Sequence, residues 1–244
     1  MTAPLHSPAG PPRRLKDMAP GEIARIMAED PRLIVPVGTC EQHGPHLPMG
    51  TASIIAEALA DDLSATYGVL RAPTIEYGVN VAGAADFPGN GAMRRKTLHR
   101  MLNDLLAAWE RSGFREFILL TAQDHEQQQE ALATVITTDA RVRVVDIHAI
   151  PVLDLLDAQQ EHLHGGEVDT SLMLYLAPSL VHMELAVDQP ADPNQRRTTL
   201  SLAENQVGLV GLPTTASAAK GERLYERMRQ RICDRIFLAP ALDA

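Results

Sequence analysis

Short apolar runs alternate with stretches of helical periodicity along most of this chain, and that alternation constrains the fold more than any other feature. Leu33, Ile34, Val35 and Val37 form a compact apolar run that stops at Gly38-Thr39. Ile54, Ile55, Ala58, Leu59 and Leu63 then recur at helical spacing, so a buried strand leading into a helix is expected. A second strand is expected over residues 68–75, followed by a Gly/Ala/Pro/Asn-rich loop over 77–90. Leu98, Met101, Leu102, Leu105, Leu106 and Trp109 repeat every three to four positions, and Gly113 stands where a helix-ending glycine belongs. The runs at 116–121 and 142–150 read as further strands, with helical periodicity over 123–139 between them. Strands joined through helices require right-handed crossovers. The expected fold is therefore α/β: three layers, α/β/α, around a mostly parallel central sheet.

Composition sets the outer limits. With 244 residues, 45% hydrophobic and 22% charged, the chain has enough apolar material for one large core. A single domain is expected over 14–244, preceded by a flexible Pro-rich arm over 1–13. A net charge of −9 opposes nucleic-acid binding. No apolar run approaches the length of a membrane span, and the N-terminus lacks the apolar core of a signal peptide. Cys40 and Cys233 fit no disulfide framework, so a reducing cytoplasm is the expected setting and any metal site must use His and carboxylates.

In parallel sheets, ligands sit beyond the carboxyl ends of the strands, and three such places carry His with acids. The first, residues 38–48, brings Glu41, His43 and His46 into a Gly/Pro-bounded turn where side chains can converge. Solvated polar groups are the bland alternative. The second, residues 121–128, flanks His125 with Asp124 and Glu126 at an expected helix start, where Asp124 also suits plain capping. The third, residues 162–171, carries His162, His164, Glu167 and Asp169 around Gly165-Gly166. Its glycines permit close backbone approach, and its His and acids can serve as base, acid or ligand; a capped helix beginning near Asp169 would explain it without chemistry.

The wording of these segments resembles the creatininase family of creatinine amidohydrolases. Residues 41–48 reproduce E-Q-H-G-P-H-L-P, followed by Gly50-Thr51. Phe87-Pro88-Gly89 matches F-P-G, residues 164–171 resemble H-A-G-E-x-E-T-S, and 208–213 resemble G-V-x-G-x-P. The resemblance implies a creatininase-like fold, commonly an oligomer and often a hexamer, and a two-metal centre that hydrolyses C–N bonds with metal-activated water as nucleophile. By motif it places the ligands on Glu41, His43 and His125, with Asp169 at the E-T-S acid. His164 falls near the substrate, with His164, Glu126 or Glu167 as the proton shuttle. The expected partner is a small cyclic or linear amide.

Several positions depart from the pattern. The acid of G-T-D is Ala52, and N-G-H-G-G-N has become Gln123-Asp124-His125-Glu126-Gln127-Gln128. The His three residues before F-P-G is Ala84, and the Thr after it is Asn90. A methyl group cannot bridge two cations, so one divalent ion (Zn, Mn or Fe) is expected rather than two, with Asp124 or Glu126 as replacements for the bridge. The rival expectation is a catalytically retired or repurposed member that binds a small molecule or protein in the old cleft.

Overall fold

A computed structural model describes residues 10–81, 87–158, 162–190 and 208–238. Residues 1–9 of the expected N-terminal arm, Ala84 and its neighbours, and residues 191–207 lie outside the described residues.

Five strands form one parallel sheet in the order β1-β3-β2-β4-β5, with β1 at Arg13–Arg14, β2 at Arg32–Val37, β3 at Leu70–Arg71, β4 at Glu116–Thr121 and β5 at Arg141–Asp146. The central pair β2 and β4 is buried almost throughout, which explains why both read as continuous apolar runs rather than alternating ones. Their side chains divide between two cores. Ile34, Ile118 and Leu120 face a cluster containing Leu59 and Leu63 of α2 (Thr51–Tyr67), Val168 and Leu172 of α5 (Glu167–Leu176), and Leu224 and Met228 of α6 (Ala218–Ile232). Leu33, Val35, Phe117 and Leu119 face Ile26 of α1 (Pro20–Glu29), Leu98, Leu102 and Leu106 of α3 (Arg95–Ser112), and Leu132 of α4 (Glu126–Ala133). The period of two along each strand thus produces the three-layer α/β/α arrangement.

Three local differences from the sequence expectation have physical causes. The strand expected over 68–75 contracts to Leu70–Arg71 with an isolated bridge from Ile75 to Val37, because Pro73 cannot donate to the ladder. The helix expected over 123–139 contracts to Glu126–Ala133. Beyond it, the Glu110 carboxylate accepts the backbone N–H groups of Thr138, Asp139 and Ala140 at 2.9, 2.6 and 2.7 Å and fixes a turn. The strand expected over 142–150 ends at Asp146, whose carboxylate accepts the His148 N–H at 2.9 Å and starts a short 3-10 turn over Ile147–Ala149.

From β2 the chain moves outward through α2 to β3. It then crosses back over β2 through α3 to β4, so connections diverge between β2 and β4. Crevices form at the carboxyl end of such a reversal.

Candidate metal centre

The turn after β2 is built by close packing. A Cβ on Gly38 would sit 2.2 Å from Ser53 Oγ and 2.5 Å from its Cα, so glycine lets the first turn of α2 approach the end of β2. Glu41 N–H donates to Met49 O at 2.9 Å and Gln42 N–H to Asn90 Oδ1 at 2.9 Å, which close the loop. The result buries Glu41, His43 and His46.

Glu41 accepts Val81 N–H at 2.5 Å and the side-chain amide of Gln123 from the end of β4. Burial raises its carboxyl pKa, and His43 and these donors offset the rise only in part. His43 places Nδ1 3.0 Å from Glu41 O, which suits donation and leaves Nε2 as the basic nitrogen. His164 Nε2 lies 2.7 Å from Gln42 O, leaving Nδ1 in the same condition. The two rings stack with centroids 4.3 Å apart. Burial lowers the pKa of His43 to about 4 and lowers that of His164, so both rings are neutral at pH 7. One ligand atom from each of Glu41, His43 and His164 lies within 4.8 Å of the others. A buried carboxylate facing two imidazoles, each oriented by a carbonyl, suits zinc, manganese or iron.

The third segment meets the first through Gly165, which has φ +68°; a Cβ there would lie 2.6 Å from His43 O. Its N–H donates to Asp169 Oδ2 at 2.9 Å in the first turn of α5. The other Asp169 oxygen is 3.0 Å from His162 Nε2, and His162 Nδ1 is 3.7 Å from Asp124 Oδ2. Burial opposes charge at both buried groups, but their mutual attraction wins. The Asp169 carboxyl is held far below the usual carboxylate range, and Asp169 and Asp124 push His162 up to about 10. His162 stacks on His148 with centroids 3.5 Å apart. These groups and Leu163 line a cleft of about 170 Å³ together with His43 and His164.

The structure therefore brings Glu41, His43, His164 and Asp169 to one end of the sheet, although Asp169 groups with His148 and His162. Among the described residues His125 belongs to neither ligand group; it is the N-cap residue of α4, buried, and its Nδ1 has no hydrogen-bond partner there. Asp124, for which the sequence leaves both capping and a place in the site open, faces His162. Glu126 is exposed on the first turn of α4. Glu167 is fully buried, where it accepts Asp157 N–H at 2.9 Å and pairs with Lys220. Ala52 lies in the first turn of α2, wholly buried in the core.

His148 escaped the sequence reading because residues 142–150 looked like uninterrupted strand; only the Asp146 cap turns its ring into the cleft. Gln123 and Gln128 were also missed as framework. Gln128 accepts Val79 N–H at 2.8 Å, while its amide faces Gly38 O at 3.4 Å, so it ties α4 to two loops.

A parallel three-layer sheet whose carboxyl-end crevice gathers buried His and carboxylate groups defines a metal-hydrolase class of site. The sequence profile described as creatininase, creatinine amidohydrolase, matches residues 16–236, and the chain belongs to that family. It is 30% identical over 218 residues to a mycofactocin precursor peptide peptidase of Mycolicibacterium smegmatis, covering 84% of each chain. It is 28% identical over 238 residues to the creatinine amidohydrolase of Pseudomonas putida, covering 87% of this chain and 91% of that one. A crystal structure of creatinine amidohydrolase superposes with a TM-score of 0.80 at 27% identity, over 91% of this chain and 96% of the other. Similar solved structures include a manganese form, a Zn-Zn type variant and a variant complexed with creatine.

Proposed function

We propose that this protein is a metal-dependent amidohydrolase cleaving a C–N bond of a small cyclic or linear amide. The observation that carries the proposal is the buried Glu41 carboxylate gathered within 4.8 Å of one ring nitrogen each from His43 and His164. A divalent zinc, manganese or iron ion there would polarise an amide carbonyl and acidify water. Ala52 supplies no bridging acid, so one ion in place of a bridged pair is the reading for this centre. Glu41 and His43 hold it, and either His164 or a repositioned His125 completes the set. Where His125 completes the set, His164 at the cleft wall is the group best placed to pass a proton to a leaving nitrogen; Glu126 and Glu167 would need the α4 and Lys220 surroundings to rearrange. Relatives that act on creatinine or a precursor peptide support an amide substrate.

The test is chelation followed by reloading with Mn²⁺ or Zn²⁺ and a panel of cyclic amides and short peptides. Metal-dependent hydrolysis that falls at least ~100-fold in Glu41→Gln is expected, a loss of about 2.7 kcal/mol of transition-state stabilisation. Full activity in chelated protein would overturn the reading.

One observation favours the repurposed-binder alternative: both Glu41 oxygens already accept protein donors, Val81 N–H and the Gln123 amide. A protein that binds no metal after loading would move that alternative ahead. Two further parts of the reading concern setting. Both cysteines are free, which supports a reducing cytoplasm, and no described helix is long and apolar enough to cross a membrane. Leu180, Leu185 and Val187 expose nearly half of their surface within eight residues, which supports a homo-oligomer. Light scattering should give a mass well above 26.5 kDa; a monomer at micromolar concentration would count against it.

A further inference from the structure

We propose that His148, His162 and Asp169 form a second cation site, separate from Glu41, His43 and His164, that takes a divalent transition metal such as zinc, cobalt or nickel. Asp169 stands at the E-T-S acid of the family motif, whereas His148 and His162 lie outside the stretches that match family motifs.

The donor geometry carries the inference. One ligand atom from each of the three residues lies within 4.8 Å of the others. His148 Nε2 lies 3.0 Å from Ala122 O, the carbonyl immediately after β4, and this contact assigns the ring proton to Nε2. The other nitrogen, Nδ1, is buried with no hydrogen-bond partner among the described residues. A histidine whose N–H is spent on a backbone carbonyl while its lone pair is buried and unused has the arrangement of a metal ligand. An apolar residue would fill that space without the desolvation cost of a buried acceptor left unsatisfied.

The surroundings favour positive charge. Asp169 is buried and faces His162 at 3.0 Å, and Asp124 stands at the exposed mouth 3.7 Å from the other ring nitrogen. A divalent ion there would draw on the His148 and His162 nitrogens and an Asp169 oxygen, with Asp124 as counter-charge at the entrance. Two imidazoles and one carboxylate make a borderline-soft set that suits zinc, cobalt or nickel better than magnesium or calcium. Asp169 is already fixed by Gly165 N–H at 2.9 Å, so the carboxylate is oriented before any ion arrives.

The site stands apart from the hydrolase reading, and the experiment separates the two. Full-length untagged protein is stripped with a chelator and titrated with Co²⁺ alone, with ions per chain measured by elemental analysis and binding followed by visible absorption. Two ions per folded chain are expected. His148→Asn and His162→Asn should each remove one and leave the other. Glu41→Gln should remove the complementary ion, and Glu41→Gln combined with His148→Asn should remove both. Asp124→Asn, at an exposed position, should weaken one of the two ions about tenfold without affecting folding. Retention of both ions by folded His148→Asn overturns the proposal, as does a wild type whose only ion vanishes in Glu41→Gln. A wild type whose only ion vanishes in His148→Asn upholds this site and removes the Glu41 centre instead. Should His148→Asn fail to fold, unchanged Co²⁺ affinity in Asp124→Asn is the overturning result.

Discussion

Lys220→Met tests whether Glu167 belongs to the framework or to the chemistry. Lys220 is 2% exposed and Glu167 is 0% exposed. The ammonium contacts the Glu167 carboxylate, donates to Thr215 O at 2.7 Å and reaches Asp157 Oδ2 at 2.8 Å. The pair joins the first turn of α5 to the first turn of α6, the two helices that pack most extensively against each other. Methionine keeps most of the apolar stem, so the variant removes chiefly the charge. Removing one member of a buried pair typically costs about 3–5 kcal/mol because the other is left uncompensated. Here Asp157 N–H still donates to Glu167 at 2.9 Å, with a weaker contribution from Ala158 N–H at 3.4 Å, which places the expectation at the lower end, about 3 kcal/mol. For a chain of this size that lowers Tm by roughly 6–12 °C. Urea unfolding of wild type, Lys220→Met, Glu167→Gln and the double variant provides a cycle whose coupling term isolates the pair. A cost below about 1 kcal/mol, the range of an exposed pair, would refute the reasoning. Glu167→Gln with normal stability but abolished hydrolysis would return Glu167 to the chemistry.

Ala52→Asp buries a carboxylate in an apolar first turn of α2, so the metal-free variant should melt below wild type; metal should restore it and bind more tightly than in wild type. A metal-induced Tm shift no larger than that of wild type would show that the new side chain does not reach Glu41 and His43. Metal-free stability should peak near pH 6.5. His43 and His46 are neutral in the fold, each with a pKa of about 4 from burial, whereas the unfolded chain takes up protons below about 6.5; stability is therefore complete above 6.5 and falls towards pH 4, by as much as ~3 kcal/mol per histidine. His162, held up to about 10 in the fold, contributes stability that is fully present below 6.5 and fades as pH rises through 10. Urea midpoints measured from pH 4 to 10 check both limbs, and a flat profile contradicts the assigned protonation states. Gly165→Ala places a Cβ 2.6 Å from His43 O at φ +68°; the backbone term alone is about 1–2 kcal/mol, and metal affinity should fall with it. Unchanged unfolding and unchanged metal titration would show that the approach of the two loops is not tight.

The sequence by itself determined the layered fold, because β2 and β4 are buried on both faces and must be apolar throughout, while α3 carries one apolar stripe that ends at Gly113. It also singled out Glu41, His43, His125, His164 and Asp169 through the match of their segments to family motifs, of which the structure gathers all but His125 into the two ligand groups. Tertiary structure decided how those groups are partnered. Asp169 turns to His162 and His148, Glu167 to Lys220 some 53 positions away, and Glu41 to Gln123 some 82 positions away. Periodicity reports which face of an element is buried, whereas partnership depends on which loops the sheet order brings together. His148 shows the limit most clearly. Nothing in the residues 142–150 separates a ninth strand position from a turn, until the Asp146 carboxylate captures the His148 N–H and swings the ring over the end of β4.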